Sequence, residues 1–324
     1  MNEYIATLGP ACARAETLAA MLENGMTALR LNLSHGGLDA HPDWLAAFAE
    51  SRRMTGRACG LILDLQGPEL RCGNPAPLTL EEGAAVDPER DLRLPAPLLA
   101  VLRPGLALLL DDGRLRLRVT PTHACAVERG GLLPPGKSVA AEGLELPLPA
   151  LTAADLLNLR QAPARGVTAV LLSFTRGAQD VLQTRAALAR AGAPQVKIIA
   201  KIENEDGVKQ ISLIAKAADA VCIARGDLGN RLPLWELPAL QLRLGAACRA
   251  AGTPFYVATQ LLASLEQNPT PTRAEMNDIF HSALAGASGF ILTGETAIGA
   301  DPANAVRYLR LAAEAARQYQ TGEC

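Results

Sequence analysis

The segment VKIIAKIENEDG, residues 196–207, opens as an apolar, partly β-branched run and then sets Lys201, Glu203, Asn204, Glu205 and Asp206 nearly side by side. Lysine is scarce: Lys137, Lys197, Lys201, Lys209 and Lys216 are all the chain has, and arginine carries nearly all its other positive charge. A lysine kept at the end of a core segment in so arginine-rich a chain marks a place that wants an ammonium. Glu203 beside it and Asp227 in ARGDLG (224–229) are carboxylates suited to sharing one cation. Two carboxylates with open positions fit Mg2+ or Mn2+, which keep water and take substrate oxygens. Backbone N–H groups at Gly226 and Asp227, opening a loop-to-helix turn, favour an anion such as a carboxylate. Arg30 and Lys201 add fixed positive charge for a phosphate. A divalent metal, a lysine and an arginine under a lid are the parts of a phosphoryl-transfer site.

Taken singly, each residue has a plainer reading. Lys201 with Glu203 can be a rim salt bridge, and Asp227 a turn residue. Asn32 and Ser34 can be turn groups, His35 can bond locally, and Trp235 with the leucines after it reads as helix packing. The constellation outweighs its members if the fold makes them converge.

Short apolar runs at Tyr4–Leu8, Thr27–Leu31, Leu61–Leu65, Val167–Ser173, Val196–Ile202, Ala220–Ala224, Phe255–Ala258 and Gly289–Thr293 read as strands. Several are apolar nearly throughout, as parallel strands buried on both faces are. Amphipathic stretches follow most of them: Glu16–Glu23, Pro42–Met54, Ala178–Ala191, Val208–Ala217, Glu236–Ala250, Arg273–Ala285 and Pro302–Gln318. Eight strand-then-helix units predict an α/β fold, a (β/α)8 TIM barrel, with an open doubly wound sheet as the alternative. No GxGxxG follows the first strand, which weighs against a dinucleotide-binding form of that alternative. The rhythm breaks between Arg71 and Leu148, where LLLDDGRLRLRV (108–119) reads as strand, Asp-Gly turn, strand. The expected organisation is a catalytic barrel over 1–70 and 149–324, with an inserted, β-barrel-like lid domain over 71–148. Thr152 is the expected N-cap where the chain re-enters the barrel.

In such a barrel function sits where strands end and the following loops begin. Those ends carry Arg30, Asn32, Ser34 and His35, then Asp64, Glu69 and Arg71, then Ser173 and Arg176, Lys201 and Glu203, Arg225, Gly226 and Asp227, Thr259 and Gln260, and Thr293 and Glu295. Composition removes other classes. The 324 residues carry a net charge of -2 and only 3% aromatics, so neither a nucleic-acid surface nor a stacking platform is expected. No signal peptide or membrane span is apparent. Seven cysteines with no CxxC pair point away from structural zinc and a disulfide framework and fit a reducing cytoplasm.

The motifs TLGPA, ALRLNLSHG, LDLQGPELR, KIEN, ARGDLG, ATQLLASL, NPTPTRAE and TGETAIGADP, in this order from Thr7 to about Ala315, resemble those of pyruvate kinases. The resemblance implies transfer of the phosphoryl group of phosphoenolpyruvate to ADP, giving pyruvate and ATP in glycolysis, with Mg2+ (or Mn2+) and K+. It implies that Lys201 and Arg30 meet the phosphoryl group, and that Glu203 and Asp227 hold the divalent metal. Gly226, Asp227 and Thr259 take the substrate carboxylate, and the region of Thr259 and Thr293 holds the proton relay. Asn32, Ser34, Asp64 and the carbonyl of Leu65 bind K+, and Glu69 goes with K+ dependence. Arg71 and Lys137, with Asn32 and His35, belong to the nucleotide site.

Departures from the family pattern are Leu65 for a threonine, Gln66 and Ile298 for lysines, Thr293 for a serine, and KSVAAEG (137–143) where an asparagine is lost. The changes at Gln66, in the lid strand and at Ile298 motivate one alternative, a catalytically weak or inactive metabolite-binding relative; the Glu203/Asp227 pair equally fits a second, a metal-dependent aldolase or lyase acting on a pyruvate enolate. The end at QYQTGEC implies that the family's C-terminal α/β domain is absent, so no sugar-phosphate regulation through it is expected. A homodimer using the apolar stretch Leu237–Ala250 is the expected assembly.

Overall fold

The computed structural model describes residues 2–111, 113–144, 146 and 148–322; the side chains of His35, Asn230 and Arg231 lie outside the described part. Eight parallel strands, Glu3–Thr7, Ala28–Asn32, Gly60–Asp64, Val167–Leu172, Lys197–Ile202, Ala220–Ala224, Phe255–Ala258 and Gly289–Ile291, form a closed barrel. The first pairs with the second (Ile5↔Ala28) and with the eighth (Ile5↔Ile291), which closes the ring and excludes the open sheet.

Alternation along each strand sorts the side chains. Ile5, Ala28, Ile62, Ala169, Leu171, Ile199, Ala220, Cys222, Tyr256, Ala258 and Ile291 form a cluster of their own, the filling of the barrel. Their neighbours, such as Tyr4, Leu29, Leu63, Val170 and Ile198, belong to the larger core shared with the helices. The filling positions, continued two residues at a time toward the strand ends, become polar: Ile5 leads to Thr7, Ala28 to Arg30 and Asn32, Ile62 to Asp64, Leu171 to Ser173, Ile199 to Lys201 and Glu203, and Ile291 to Thr293. The strand period therefore aims these residues into one mouth.

The helices lie close to where periodicity puts them. Pro302–Thr321 buries the stripe Ala305, Val306, Leu309, Ala312, Ala313 and Ala316. The expected helix Val208–Ala217 is instead two, Glu205–Lys209 and Ile211–Ala217, broken at Gln210. Asn204 caps the first, its side chain accepting from Gly207 N at 2.7 Å, and Glu205 and Asp206 occupy its first turn, where acids favour the helix dipole. That accounts for most of the charge after the fifth strand and leaves Glu203 as the acid on the filling side. Of Trp235 and the leucines after it, Leu240 and Leu244 are buried in helix Leu237–Ala250, but Trp235 is not helix packing: it is 81% exposed in a one-turn 3-10 segment ahead of that helix. No helix among the described residues is long and apolar enough to cross a membrane.

Two compact units are present, Met1–Gly67 with Ala150–Cys324, and Pro68–Pro149. The second holds a five-stranded antiparallel sheet, in the order Val139–Ala141, Ala107–Leu110, Leu115–Val119, Cys125–Arg129, Ala85–Val86, and a two-stranded sheet of Leu78–Leu80 with Gly131–Leu133. Its core includes Leu92, Leu98, Leu108, Leu110, Leu117, Cys125 and Leu133. Leu110 pairs Leu115 across the expected hairpin, of which Asp112 lies outside the described residues.

Thr152 caps Ala153–Gln161 in a capping box with Asp155. The fully buried Asp155 also accepts from Gln66 N at 2.8 Å and Gly67 N at 3.1 Å, so one carboxylate ties the chain leaving the barrel to the chain returning. Asp155→Ala strands these donors and is expected to cost about 3 kcal/mol in urea unfolding. A loss under about 0.5 kcal/mol would contradict the clasp.

Candidate active site

Two partly buried cations meet at one buried carboxylate. Arg30 donates from Nε and Nη2 to Asp64 Oδ2 at 2.8 and 2.5 Å, and from Nη1 to Thr7 Oγ1 at 2.7 Å. Lys201 Nζ stands 3.3 Å from Asp64 Oδ1, 2.9 Å from Glu203 Oε1 and 3.1 Å from Ser173 Oγ. The Asp64 and Glu203 side chains are each 1% exposed. Burial alone would raise the Asp64 carboxyl, but Lys201 and Arg30 outweigh it and hold it below the ordinary range. Burial works to lower the Lys201 ammonium, and Asp64 with Glu203 outweighs that in turn, holding it well above an ordinary lysine. Lys201 is therefore charged at neutral pH.

Glu203 takes a second bond, from Phe174 N at 2.8 Å, which fixes its carboxylate plane. Asp227 sits in the first turn of Arg225–Arg231, the short helix after the sixth strand, rather than on the strand itself. Asn32 and Asp64 are register partners on neighbouring strands. Asn32 also accepts from Ser34 N at 3.1 Å, and the Leu65 carbonyl accepts from Ser173 Oγ at 2.7 Å. Asn32, Ser34, Asp64 and Leu65 thus offer a run of hard oxygen donors at the ends of the second and third strands.

Thr259 and Gln260 follow the seventh strand with φ of 74° and 51°. Positive φ at a β-branched residue is a real outlier, costing about 1–3 kcal/mol. Thr259 Oγ1 is buried with no hydrogen-bond partner among the described residues. A Cβ placed on Gly226 would stand 3.7 Å from that oxygen, so the bare Gly226 backbone faces it closely. An unpaired hydroxyl on a strained turn is a mark of a ligand position. Thr293 donates from N and Oγ1 to the buried Glu295 carboxylate at 2.6 and 3.1 Å.

Arg71 and Lys137 are brought together within the second unit. Arg71 bridges Ser138, donates to Gly136 O at 2.8 Å and pairs with Glu69, while Lys137 pairs with Asp111 at 2.7 Å. The His35 side chain lies outside the described residues. Thr7 is the residue that strand-end reading misses; its signal is the parity that carries Ile5 to the end of the first strand. Ile298 is 64% exposed.

The family model for the pyruvate kinase barrel domain matches residues 2–306. The chain belongs to the pyruvate kinase family. It is 38% identical to the pyruvate kinase of Aeropyrum pernix over 95% of this chain and 69% of that protein. It is 37% identical to that of Chlamydia pneumoniae, over 95% of this chain and 67% of that one. Against the Geobacillus stearothermophilus enzyme it is 36% identical over 94% of this chain, spanning 55% of that protein's length. Kinase chemistry and a general dependence on metal go with this family.

Proposed function

We propose that the chain transfers the phosphoryl group of phosphoenolpyruvate to ADP, giving pyruvate and ATP. The observation that carries this reading is the convergence of Arg30 and Lys201 on Asp64 at the barrel mouth. Two preorganised cations in a largely buried setting stabilise a transferring phosphoryl group without reorganising at the moment of reaction. The Thr259 hydroxyl, with the backbone of Gly226 and Asp227, would receive the substrate carboxylate. Glu203 and Asp227 would hold Mg2+ or Mn2+; the donor set fits, being two carboxylates that leave room for water and substrate oxygens. When bound, that ion supplies neutralisation of the charge shared by substrate and phosphate. Asn32, Ser34, Asp64 and the Leu65 carbonyl fit K+ by the same oxygen chemistry. Once the phosphoryl group has left, the enolate needs a proton. The region of Thr259 and Thr293, the latter held by Glu295, is assigned as a relay that passes a proton in from water, each hydroxyl taking up one proton as it gives one. Arg71, Lys137, Asn32 and His35 are assigned to the nucleotide.

Replacing K+ by Na+ at fixed ionic strength is expected to lower pyruvate formation at least tenfold, and chelating the divalent ion to abolish it. Equal rates in the two salts would remove the K+ assignment. A cytoplasmic setting and a homodimer complete the reading, with exposed Leu234, Trp235 and Leu242 as the dimer surface. Light scattering that shows only monomer at micromolar concentration would remove the dimer.

A further inference from the structure

Arg225 has no role in the chemistry above, yet its side chain is 12% exposed and almost fully engaged. Nη2 donates to Thr259 O at 2.7 Å and to Gln260 O at 3.2 Å, and Nε to Thr259 O at 3.2 Å. Nη1 donates to Asp278 Oδ2 at 2.6 Å. One planar guanidinium thus grips the carbonyls of two consecutive residues that both have positive φ, and is itself anchored to helix Arg273–Leu284. A strained turn persists only when its surroundings over-determine it. Here the grip comes from the residue directly before Gly226 and Asp227. The backbone that carries the proposed carboxylate and metal groups is therefore tied to the turn that carries the Thr259 hydroxyl.

We infer that Arg225, anchored by Asp278, is a positioning residue: it holds the Thr259–Gln260 turn so that the Thr259 hydroxyl faces Gly226 and Asp227. The inference deepens the proposed function and rests on it for the identity of the ligand at Thr259. It follows that loss of Arg225 acts on phosphoenolpyruvate and not on the nucleotide. It also follows that lysine cannot replace it, because a single ammonium lacks the planar fork that reaches two carbonyls and a carboxylate together.

The test uses the full chain with Arg225→Gln, Arg225→Lys, Asp278→Asn, Thr259→Val and the double variant Arg225→Gln/Thr259→Val, at a temperature where circular dichroism shows each folded. Arg225→Gln is expected to raise the KM for phosphoenolpyruvate at least tenfold with the KM for ADP within twofold. Arg225→Lys is expected to behave like it, and Asp278→Asn to raise the phosphoenolpyruvate KM about threefold, because the amide oxygen still accepts. The double variant is expected to be no worse than Thr259→Val by more than threefold, since both changes act on one hydroxyl. Amide hydrogen exchange over residues 258–262 is expected to speed at least tenfold in Arg225→Gln, with exchange in 153–161 unchanged. Unchanged exchange at 258–262, an unchanged phosphoenolpyruvate KM, an equal rise for ADP, or multiplying losses in the double variant would each overturn the inference. A wild type that forms no pyruvate overturns the function reading instead, and the exchange result still decides whether Arg225 holds the turn.

Discussion

Lys201→Met is expected to lower the rate of pyruvate formation by about 10^3-fold, the scale of removing one preorganised charge from a transition state. Methionine keeps the unbranched stem and removes the ammonium. Glu203 keeps the Phe174 N–H and Asp64 keeps Arg30, so neither carboxylate is left alone. For that reason the stability cost is expected near the low end for breaking a buried pair, about 3 kcal/mol, and the variant should purify folded. The Lys201 ammonium is held above an ordinary lysine, so wild-type activity should show no loss from Lys201 deprotonation below about pH 10. An alkaline limb that vanishes in Lys201→Met would contradict this.

Asp64→Asn is the larger threat to the fold. It removes the carboxylate shared by Arg30 and Lys201 and leaves both cations facing an amide, with Arg30 retaining Thr7 and Lys201 retaining Glu203 and Ser173. The expected loss at pH 7 is about 3–5 kcal/mol, a large share of the roughly 5–15 kcal/mol that holds a protein folded. The sign with pH follows from the shifts. Asp64 is held below its unfolded value, so its contribution is complete above about pH 4–5 and is lost as pH falls through the folded pKa. Lys201 is held above its unfolded value, so its contribution is complete below about pH 10 and lost only as pH rises through the folded pKa. The gap in Tm between wild type and Asp64→Asn should therefore be constant from pH 5 to 9 and narrow below pH 4. A gap that widens on acidification would contradict the charge assignment.

Much of this site is legible before any coordinates, because a parallel barrel turns a two-residue period into a direction. Once Ile199 is in the filling, Lys201 and Glu203 must be in the mouth, and the same step carries Ala28 to Arg30 and Ile62 to Asp64. Thr152 is legible for a different reason: a cap with an acid three residues on is a local pattern. Other features are set by contacts between distant segments and have no local signature. The left-handed turn at Thr259–Gln260 is held from Arg225, 34 residues earlier, and from Asp278 beyond it. Asp155 is another such case: only the folded chain brings it the Gln66 and Gly67 donors, 88 or more residues away. Trp235 misleads because an apolar residue beside a helix reads as core, whereas a one-turn segment after Pro233 holds it in solvent.

The most direct test of the central claim is the stoichiometry of ATP and pyruvate formed from phosphoenolpyruvate and ADP with Mg2+ and K+, in wild type and in Lys201→Met. The account predicts one ATP per pyruvate in the wild type, no pyruvate when ADP is left out, and a loss of about 10^3-fold in the variant. Pyruvate released without ADP, or turnover unchanged in folded Lys201→Met, would contradict it.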